Sequence, residues 1–251
     1  EALVSTFLQL PLSLFLAPDP VFQASLERKV SPLGRMDAFE TETGLIGLPI
    51  LQQPFNLLDR TVKRTLDIVG ALAGLVALAP LFALVAVLIK IDSPGPVLYR
   101  QVRNGFNERP FKIFKFRSMT HIANDTFVQA RMGDSRVTPV GRFIRRWSID
   151  ELPQLLNVLV GEMSLVGPRP HAAAHNSSVA DQIANYACRH HVKPGMTGWA
   201  QVHGLRGGTD GEAMRERVAH DLYYIQNWSP WLDVQILVRT VLSPAVYRNA
   251  Y

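Results

Sequence analysis

The stretch Ile68–Ile89, IVGALAGLVALAPLFALVAVLI, dominates this sequence because it holds 22 residues without a charge. A straight helix of that length spans about 33 Å, enough to cross a bilayer core of about 30 Å. Length alone therefore fits a transmembrane helix, a buried core helix or a membrane hairpin. Pro80, near the middle, removes the backbone hydrogen bond to the carbonyl of Val76 and bends a helix. Each half then spans only about 17 Å, too short to cross the core alone.

Basic side chains stand on both flanks of this stretch: Arg60, Lys63 and Arg64 precede it, and Lys90, Arg100, Arg103, Arg109, Lys112, Lys115 and Arg117 follow it. Because Lys and Arg favour the cytoplasmic side of a membrane, both ends are expected on the same side. The pattern favours a membrane segment, residues 66–90, that enters the bilayer, bends at Ala79-Pro80 and returns. A kinked spanning helix is the alternative.

Composition sets wider bounds on the function. The chain has 251 residues, and 26 Lys and Arg outnumber 21 Asp and Glu for a formal charge of +5. This excess suits a phospholipid surface, a nucleotide or a nucleic acid. We expect no nucleic-acid partner, because neither a recognition module nor an aromatic stacking platform is found. Cys188 is the single cysteine, which excludes an internal disulfide and fits a reducing compartment.

The chain is predicted to be an α+β protein in two parts. Residues 1–57 are loop-rich and are interpreted as the remnant of an upstream α/β domain plus a linker, and residues 58–251 form the main domain. After the turn at 92–96, VLYRQVRNG and RPFKIFKFRSM are expected to be strands, with the cations of the second reaching outward. Helical patterns follow at 139–160, 175–190 and 210–242. The predicted architecture is a membrane-embedded re-entrant helix, small β elements and several amphipathic or globular helices.

Two adjacent carboxylates, Asp150 and Glu151, occur in the run RRWSIDELPQLL. Ser148 and Glu151 have the spacing of a capping box. That box would place Pro153 where it deletes a helical hydrogen bond, whereas a cap at Asp150 places Pro153 at a harmless position. The sequence therefore favours Asp150 at an exposed helix start. A purely structural interpretation makes Asp150 the cap and Glu151 a favourable first-turn charge.

Arginines around the acidic pair favour a phosphate-handling site instead: Arg142, Arg145 and Arg146 precede it, and Arg169 follows it. Guanidinium groups match phosphate oxygens in a bidentate manner, and a helix N-terminus attracts an anion. Paired carboxylates can hold Mg²⁺, or one of them can attack phosphorus. Together with the apolar stretch, these residues indicate phosphoryl chemistry at a membrane surface.

From Lys63 to Val241 the chain resembles the bacterial sugar transferase family, the monotopic phosphoglycosyl transferases. The matching stretches are KRTLDIVGA, SPGPVLYRQVRNG, FKIFKFRSM, GRFIRRWSIDELPQLLNVLVGEMSLVGPRP, VKPGMTGWAQV and DLYYIQNWSPWLDVQILVRTV, in the family's order. Two positions depart from the family pattern. Ala79 stands where the re-entrant helix usually has Ser before its proline, and His203 stands where Asn is usual.

The resemblance implies transfer of a sugar-1-phosphate from a UDP-sugar to undecaprenyl phosphate, with release of UMP. It implies the cytoplasmic face of the bacterial inner membrane and the first step of a polysaccharide. Glucose and galactose are the expected sugars, with glucose slightly favoured. Residues 1–57 look like the tail of the nucleotide-binding-like domain of the longer members, whose architecture is consistent with a homodimer. Membrane phospholipid is a further expected partner.

The resemblance also assigns roles to residues. It implies that Asp150 is the nucleophile, that Glu151 is its partner, and that Mg²⁺ is required and held at Asp150. Phosphate contacts are expected from Lys115, Arg145 and Arg169. The residues expected near the nucleotide are Pro168, Pro170, Pro194, Gly195, Thr197, Gly198 and Gln201.

The sequence also allows two other functions. A membrane phosphohydrolase would use the same acidic pair to release UMP without a lipid acceptor, and the basic stretches leave a non-enzymatic membrane scaffold as a further alternative. The histidines His171, His175, His190 and His191 lack a zinc-ligand pattern and are interpreted as surface or packing residues. The aromatic residues Tyr223, Tyr224, Trp228 and Trp231 fit either a core or an interfacial belt.

Overall fold

The computed structural model describes residues 55–120, 134–170, 186–205 and 211–242, together with the backbone of three short strands before residue 52. The chain divides into two units, Glu1–Pro54 and Phe55–Tyr251. In the first unit, β1 (Leu14–Leu16), β2 (Phe39–Glu40) and β3 (Ile46–Leu51) form an antiparallel sheet in the order β1-β3-β2.

Helix α1 (Leu57–Asp92) is the longest element of the second unit, with 36 residues. It begins with a capping box, in which Asn56 and Asp59 each accept a backbone N–H of the other. It continues through Pro80. By length and composition it can cross a membrane, and only 11% of its most apolar window is buried. The position of a bend at Ala79-Pro80 stays a prediction.

Two strands follow α1, as the sequence predicted, and they pair as a hairpin. Strands β4 (Leu98–Asn104) and β5 (Pro110–Phe116) are antiparallel, and Tyr99 pairs with Lys115. Strand β5 buries Phe111 and Ile113 in one core cluster and Phe116 in another. One expected outward cation is different: Arg117 is buried, and its guanidinium binds the carbonyls of Ile89, Ser93 and Pro94 at the end of α1.

The remaining elements form a helical layer around a second small sheet. Helices α2 (Pro139–Arg146) and α3 (Gln154–Val160) precede β6 (Ser164–Val166), which pairs in parallel with β7 (Gly195–Thr197). Helices α4 (Trp199–Val202), α5 (Gly211–Gln226) and α6 (Pro230–Leu242) follow, and a 3₁₀ turn covers Tyr186–His191. The predicted helical stretch 175–190 falls largely outside the described residues.

Both halves of α1 pack against the same unit. Ala71 lies in a core cluster with Phe111, Ile113 and Leu155. Further along the helix, Val85 and Ile89 pack with Phe116 and Ile144. A third cluster joins β6, α5 and α6 around Tyr224 and Ile236. The unit is therefore a mixed helix and sheet fold built along one apolar helix.

The aromatic residues of α5 and α6 divide between two environments. Tyr224 is buried, and its hydroxyl donates to Asp233 and to the carbonyl of Val166. Trp228 packs against Phe55. Tyr223 and Trp231 are exposed. Neither the core nor the interfacial interpretation therefore fits all four residues.

Candidate active site

The acidic pair lies in a tight turn between α2 and α3. Ser148 adopts a left-handed backbone conformation with φ of 55°, and the next three residues, Ile149–Glu151, form a 3₁₀ turn. Helix α3 begins only at Gln154, and Pro153 occupies its N-cap position. The predicted cap at Asp150 is therefore wrong, and Ser148, the alternative that the sequence disfavoured, does not cap α3 either. Pro153 still marks the boundary, because its missing N–H costs nothing ahead of the first helical turn.

Asp150 is less accessible than predicted. The sequence placed it at an exposed helix start, whereas only 9% of Asp150 is exposed. Asp150 is the middle residue of the 3₁₀ turn and not the cap of a helix. The carboxylate thus sits in a partly desolvated setting, where charges act on each other more strongly than in water.

Glu151 is held between two of the predicted phosphate-binding cations. Lys115 donates from Nζ to Oε1 over 2.9 Å. Arg169 donates from Nη1 to Oε2 over 2.9 Å and from Nη2 to Oε1, which makes its contact bidentate. The structure therefore brings together three residues that are far apart in the sequence, and we refer to them as the Glu151 cluster. Both carboxylate oxygens of Glu151 are occupied.

The charge balance of the cluster keeps Arg169 cationic. Burial lowers the pKa of Arg169, but attraction and hydrogen bonding to Glu151, with attraction to Asp150, raise it above its usual value. Arg145 is the third predicted cation, in the last turn of α2. Its guanidinium is half-buried and makes no ion pair or hydrogen bond with the described part of the chain. Its donors are thus available to an anion.

Helix α3 fixes the strand that carries Lys115. The side chain of Asn157 donates to the carbonyl of Lys112 over 2.8 Å and accepts the N–H of Phe114 over 3.0 Å. A third bond from the Asn157 amide reaches Glu162. These bonds fix the position of β5 relative to α3. Lys115 directly follows Phe114, whose N–H is bonded to Asn157. Sequence reasoning missed this role of Asn157.

A buried ion pair fixes the segment that carries Arg169. Arg189 donates to the carbonyl of Arg169 over 2.8 Å and to Asp221 over 2.7 Å. Burial raises the pKa of Asp221, while Arg189 opposes this shift by attraction and by its hydrogen bond. Both partners are almost fully buried. Sequence reasoning missed this pair, because Arg189 and Asp221 lie 32 residues apart.

All seven residues expected near the nucleotide lie in the small β6–β7 sheet or within a few residues of it along the chain. The backbones of Gly167 and Gly195 approach so closely that a Cβ on Gly195 would collide with the nitrogen of Gly167. The group of predicted residues that lies in or beside this sheet comprises Pro168, Pro170, Pro194, Gly195, Thr197, Gly198 and Gln201. Within it, the Oε1 atom of Gln201 is buried without a hydrogen-bond partner in the described residues. Contact with a nucleotide stays a prediction.

Arg103 is a further cation at the site that sequence reasoning assigned only to the membrane flank. Its Nη2 donates to Gln101 over 2.8 Å, while its Nε is buried without a partner in the described residues. Burial lowers the pKa of Arg103 to about 10; repulsion by Arg169 adds to this shift, and attraction to Glu151 opposes it. Arg103 therefore acts electrostatically on the Glu151 cluster.

The carboxylates fit a substrate-assisted Mg²⁺ site and no protein-only metal site. No group of three or more His, Cys, Asp or Glu side chains within the described ranges could hold a metal ion. Mg²⁺ commonly binds through one or two carboxylates and substrate phosphates. Lys115 and Arg169 occupy both carboxylate oxygens of Glu151, and Mg²⁺ binding at Asp150 stays a prediction. His190 is buried at a contact with the carbonyl of Gly105, whereas His171 and His175 lie outside the described residues.

Comparison with known proteins gives concordant matches over this unit. The family model described as bacterial sugar transferase matches residues 58–246. The UDP-glucose:undecaprenyl-phosphate glucose-1-phosphate transferase of Escherichia coli (strain K12) is 48% identical over 84% of this chain and 46% of that protein. The protein of the same name from Caulobacter vibrioides is 48% identical over 92% of this chain and 89% of that protein.

A third relative carries a different sugar in its name. The UDP-N-acetylgalactosamine-undecaprenyl-phosphate N-acetylgalactosaminephosphotransferase of Aeromonas hydrophila is 47% identical over 72% of this chain and 43% of that protein. The chain thus spans less than half the length of the Escherichia and Aeromonas proteins but most of the Caulobacter protein.

Proposed function

This chain belongs to the bacterial sugar transferase family, and we propose that it transfers glucose-1-phosphate from UDP-glucose to undecaprenyl phosphate. The observation that carries the proposal is the position of Asp150 beside the Glu151 cluster. Its neighbour Ile149 packs against the last turns of the apolar helix α1. The family resemblance supplies the reaction, and the names of two relatives supply the sugar. The family is one of transferases, which leaves the non-enzymatic scaffold without support.

The proposed reaction has two displacements at one phosphorus. A carboxylate oxygen of Asp150 attacks the β-phosphorus of UDP-glucose, and the bond from that phosphorus to the oxygen bridging the α-phosphate breaks. UMP leaves with the electron pair, and glucose-1-phosphate stays on Asp150. An oxygen of undecaprenyl phosphate then attacks the same phosphorus, the bond to Asp150 breaks, and the carboxylate is restored.

In this proposal, three cations stabilise the charge of the diphosphate. Arg145 has its donors available, and Lys115 and Arg169 keep further N–H groups besides those bound to Glu151. Glu151 positions these two cations; it does not react itself. Mg²⁺ bound by Asp150 and the diphosphate would neutralise part of the developing charge on the phosphoryl oxygens.

We further propose that α1 enters the bacterial inner membrane from the cytoplasmic face and returns to it. At its start, Lys63 forms an ion pair with Asp233 over 2.7 Å and donates to the carbonyl of Val166. At its end, Arg117 binds three carbonyls. Because both ends bond to the same unit, a straight crossing would require that unit on both sides of the bilayer. A homodimer stays a prediction.

UMP release tests the proposed reaction. The chain in nanodiscs is given Mg²⁺ and UDP-glucose, UDP-galactose or UDP-N-acetylgalactosamine, with and without undecaprenyl phosphate. We expect continuous UMP release only with UDP-glucose and the lipid, and a loss on the order of 10³-fold or more for Asp150→Asn. The control Glu216→Gln changes an exposed acid of α5 and should keep full activity. Continuous UMP release without lipid would identify a hydrolase instead.

Labelling from the two sides tests the topology of α1. In a Cys188→Ser background, Leu57→Cys or Ile91→Cys places a thiol at an exposed position near either end of α1. Inverted inner-membrane vesicles expose the cytoplasmic face, and a membrane-impermeant maleimide should label both positions there. Labelling of one position in inverted vesicles and of the other only in spheroplasts would establish a spanning helix.

A further inference from the structure

Two histidine rings meet on the surface between α4 and α5. His203 directly follows α4 and is exposed, and His220 lies in α5 and is half-buried. The centroids of the two rings are 5.3 Å apart, and the ring planes are inclined by 47°. The proposed reaction uses neither residue. His203 is also one of the two positions at which this chain departs from the family pattern, because Asn is usual there.

The hydrogen bonds of the two rings determine which nitrogen carries the proton. Nδ1 of His203 lies 2.7 Å from the carbonyl oxygen of Trp199, and Nδ1 of His220 lies 2.9 Å from that of Glu216. Because a carbonyl oxygen only accepts, each Nδ1 is the donor. In the neutral ring, the lone pair is then on Nε2, which has no hydrogen-bond partner in the described part of the chain. Metal-bound histidines commonly donate their other N–H to a carbonyl in this way.

The distance between the rings matches that of two ligands of one metal ion. Two imidazole rings that bind a tetrahedral Zn²⁺, with Zn–N bonds of about 2.0–2.1 Å, have centroids roughly 5 Å apart. The observed separation of 5.3 Å is close to this value. In each ring, Nε2 lies across from Nδ1 and points away from the carbonyl that Nδ1 binds. An ion between the two rings can therefore reach both Nε2 atoms with only small rotations of the rings.

Both rings are held in place by contacts that do not involve a metal. The ring of His203 packs against Trp199 with 4.3 Å between centroids, and Trp199 stacks on Tyr223 of α5. Arg217, also in α5, donates to the carbonyl of Leu205 over 2.9 Å, which ties the segment after His203 to α5. A site that is ordered in advance loses less conformational entropy when it binds.

The ligand atoms select the class of metal. Imidazole nitrogen suits Zn²⁺, Cu²⁺ and Ni²⁺, whereas Mg²⁺ and Ca²⁺ prefer oxygen. Asp221 follows His220 in α5, but its buried carboxylate accepts a hydrogen bond from Arg189. Within the described ranges, no group of three or more His, Cys, Asp or Glu side chains could hold a metal ion. Two histidines and water molecules would therefore complete the coordination.

We propose that His203 and His220 form a surface site for Zn²⁺ or a similar transition-metal ion, which joins the end of α4 to α5. The ion binds Nε2 of each ring, and water fills its remaining positions. Because the two rings are brought together only in the folded chain, the bound ion stabilises the folded state. An Asn at position 203 would not supply the imidazole nitrogen. The site does not rest on the proposed function.

Calorimetric titration with Zn²⁺ tests the site. The whole chain, in the Cys188→Ser background and without a histidine tag, is freed of metal with a chelator and titrated near neutral pH in excess Mg²⁺. We expect one Zn²⁺ per chain. His203→Asn and His220→Gln should each weaken binding by at least about tenfold, because even the loss of a group that only orients a metal ligand costs about 10–100-fold. The chain has seven histidines, so six remain in either variant.

A site within α5 alone is the competing outcome of the titration. Glu216 and His220 are four residues apart and lie on the same side of the helix. Glu216→Gln is therefore the matched control and should leave the Zn²⁺ affinity unchanged. Binding that survives His203→Asn but is lost in Glu216→Gln would overturn the proposed site. Absence of binding, or equal binding by all variants, would also overturn it and would leave the contact between the rings as packing alone.

Thermal unfolding gives a second readout that ring packing alone would not produce. Saturating Zn²⁺ should raise the Tm of the unchanged chain, because the ion binds the folded state. It should leave the Tm of His203→Asn and of His220→Gln unchanged. The Tm values measured without metal show whether both variants are folded. An equal effect of Zn²⁺ on all three proteins would overturn the proposal.

Electron paramagnetic resonance of bound Cu²⁺ identifies the ligands directly, because Cu²⁺ binds the same nitrogen atoms as Zn²⁺. With less than one Cu²⁺ per chain, we expect nitrogen couplings from two imidazole rings in the unchanged chain and from one ring in His203→Asn or His220→Gln. A spectrum with one imidazole in the unchanged chain would overturn the shared site. None of these measurements uses UMP release, so their outcome is independent of the proposed function.

Discussion

Two sets of ion pairs in the same unit differ in how much water reaches them. Lys63–Asp233 and Arg189–Asp221 have side chains that are at most 8% exposed. In the Glu151 cluster, the exposed fractions rise to 12% for Glu151, 19% for Lys115 and 23% for Arg169. Both sets join elements that are apart in the sequence, but only the second leaves its cations partly open to water, where a substrate could reach them.

This difference in exposure predicts that the two sets of ion pairs have different roles. A buried ion pair that loses one partner leaves an uncompensated charge in a poorly hydrated interior. When a partly exposed pair loses one partner, water can solvate the remaining charge, so the loss of stability is small. The expected loss is in the rate of the reaction that the pair assists. The buried pairs should therefore control stability, and the Glu151 cluster should control turnover.

The largest effect is expected from breaking the pair between α1 and α6. Lys63→Met leaves Asp233 buried without its cation, so we expect the free energy of unfolding to fall by about 3–5 kcal/mol. Thermal unfolding of the chain in detergent measures this loss. Lys112→Met, an exposed lysine of β5, should change stability little. Adding Asp233→Asn to Lys63→Met should restore part of the stability, and failure to do so would show that the charge is not the cause.

A buried group without an ion-pair role should make stability depend on pH. Burial lowers the pKa of His190 to about 4, and repulsion by Arg189 adds to this shift. The folded state thus binds fewer protons than the unfolded state between about pH 4 and 6.5. His190 should contribute its full stability above about pH 6.5 and lose about 3 kcal/mol as the pH falls toward 4.

Buried acidic groups also change stability at low pH, so the contribution of His190 has to be measured as the difference between the unchanged chain and a variant. Burial raises the pKa of Asp221, which gives a stability change of the opposite sign at low pH. Unfolding curves of the unchanged chain and of His190→Gln should therefore be compared from pH 7 to pH 4.5. The free energy of unfolding of His190→Gln should depend less on pH than that of the unchanged chain. His203→Gln, at an exposed histidine, should keep the pH dependence of the unchanged chain. Parallel curves for all three proteins would refute the assignment.

The Glu151 cluster should respond in turnover and hardly in stability. Glu151→Gln removes the charge that holds Lys115 and Arg169, so we expect kcat to fall about a hundredfold, which corresponds to about 2.7 kcal/mol. Initial rates of UMP release measure it, with Glu216→Gln as the exposed control. Glu151→Asp is too short to reach both cations and should fall between the two. A loss of thermal stability as large as that of Lys63→Met would erase the distinction between the two sets.

The sequence predicted the local features of the site and missed its long-range ties. Asp150-Glu151, the two strands β4 and β5 and the apolar helix are contiguous patterns that one sequence can show. Arg169 was indicated by its place shortly after the acidic pair, whereas the phosphate-binding role of Lys115 came from the family resemblance alone. Lys63 and Asp233 pair across 170 residues, a separation at which one sequence carries no pairing signal.

The smallest effect is expected at Arg103, which acts on the cluster from a distance. Its charge lies near those of Arg169 and Glu151, and its Nε has no partner among the described residues. We expect Arg103→Gln to lower kcat/KM for UDP-glucose about fivefold, which is about 1 kcal/mol. Arg103→Lys should recover part of the loss because it keeps the charge, and Arg100→Gln, at an exposed arginine of the same strand, should have no effect. The loss should shrink at high salt if it acts through charge alone. A salt-independent loss in Arg103→Gln that Arg103→Lys does not recover would instead indicate a direct, directional contact with the substrate.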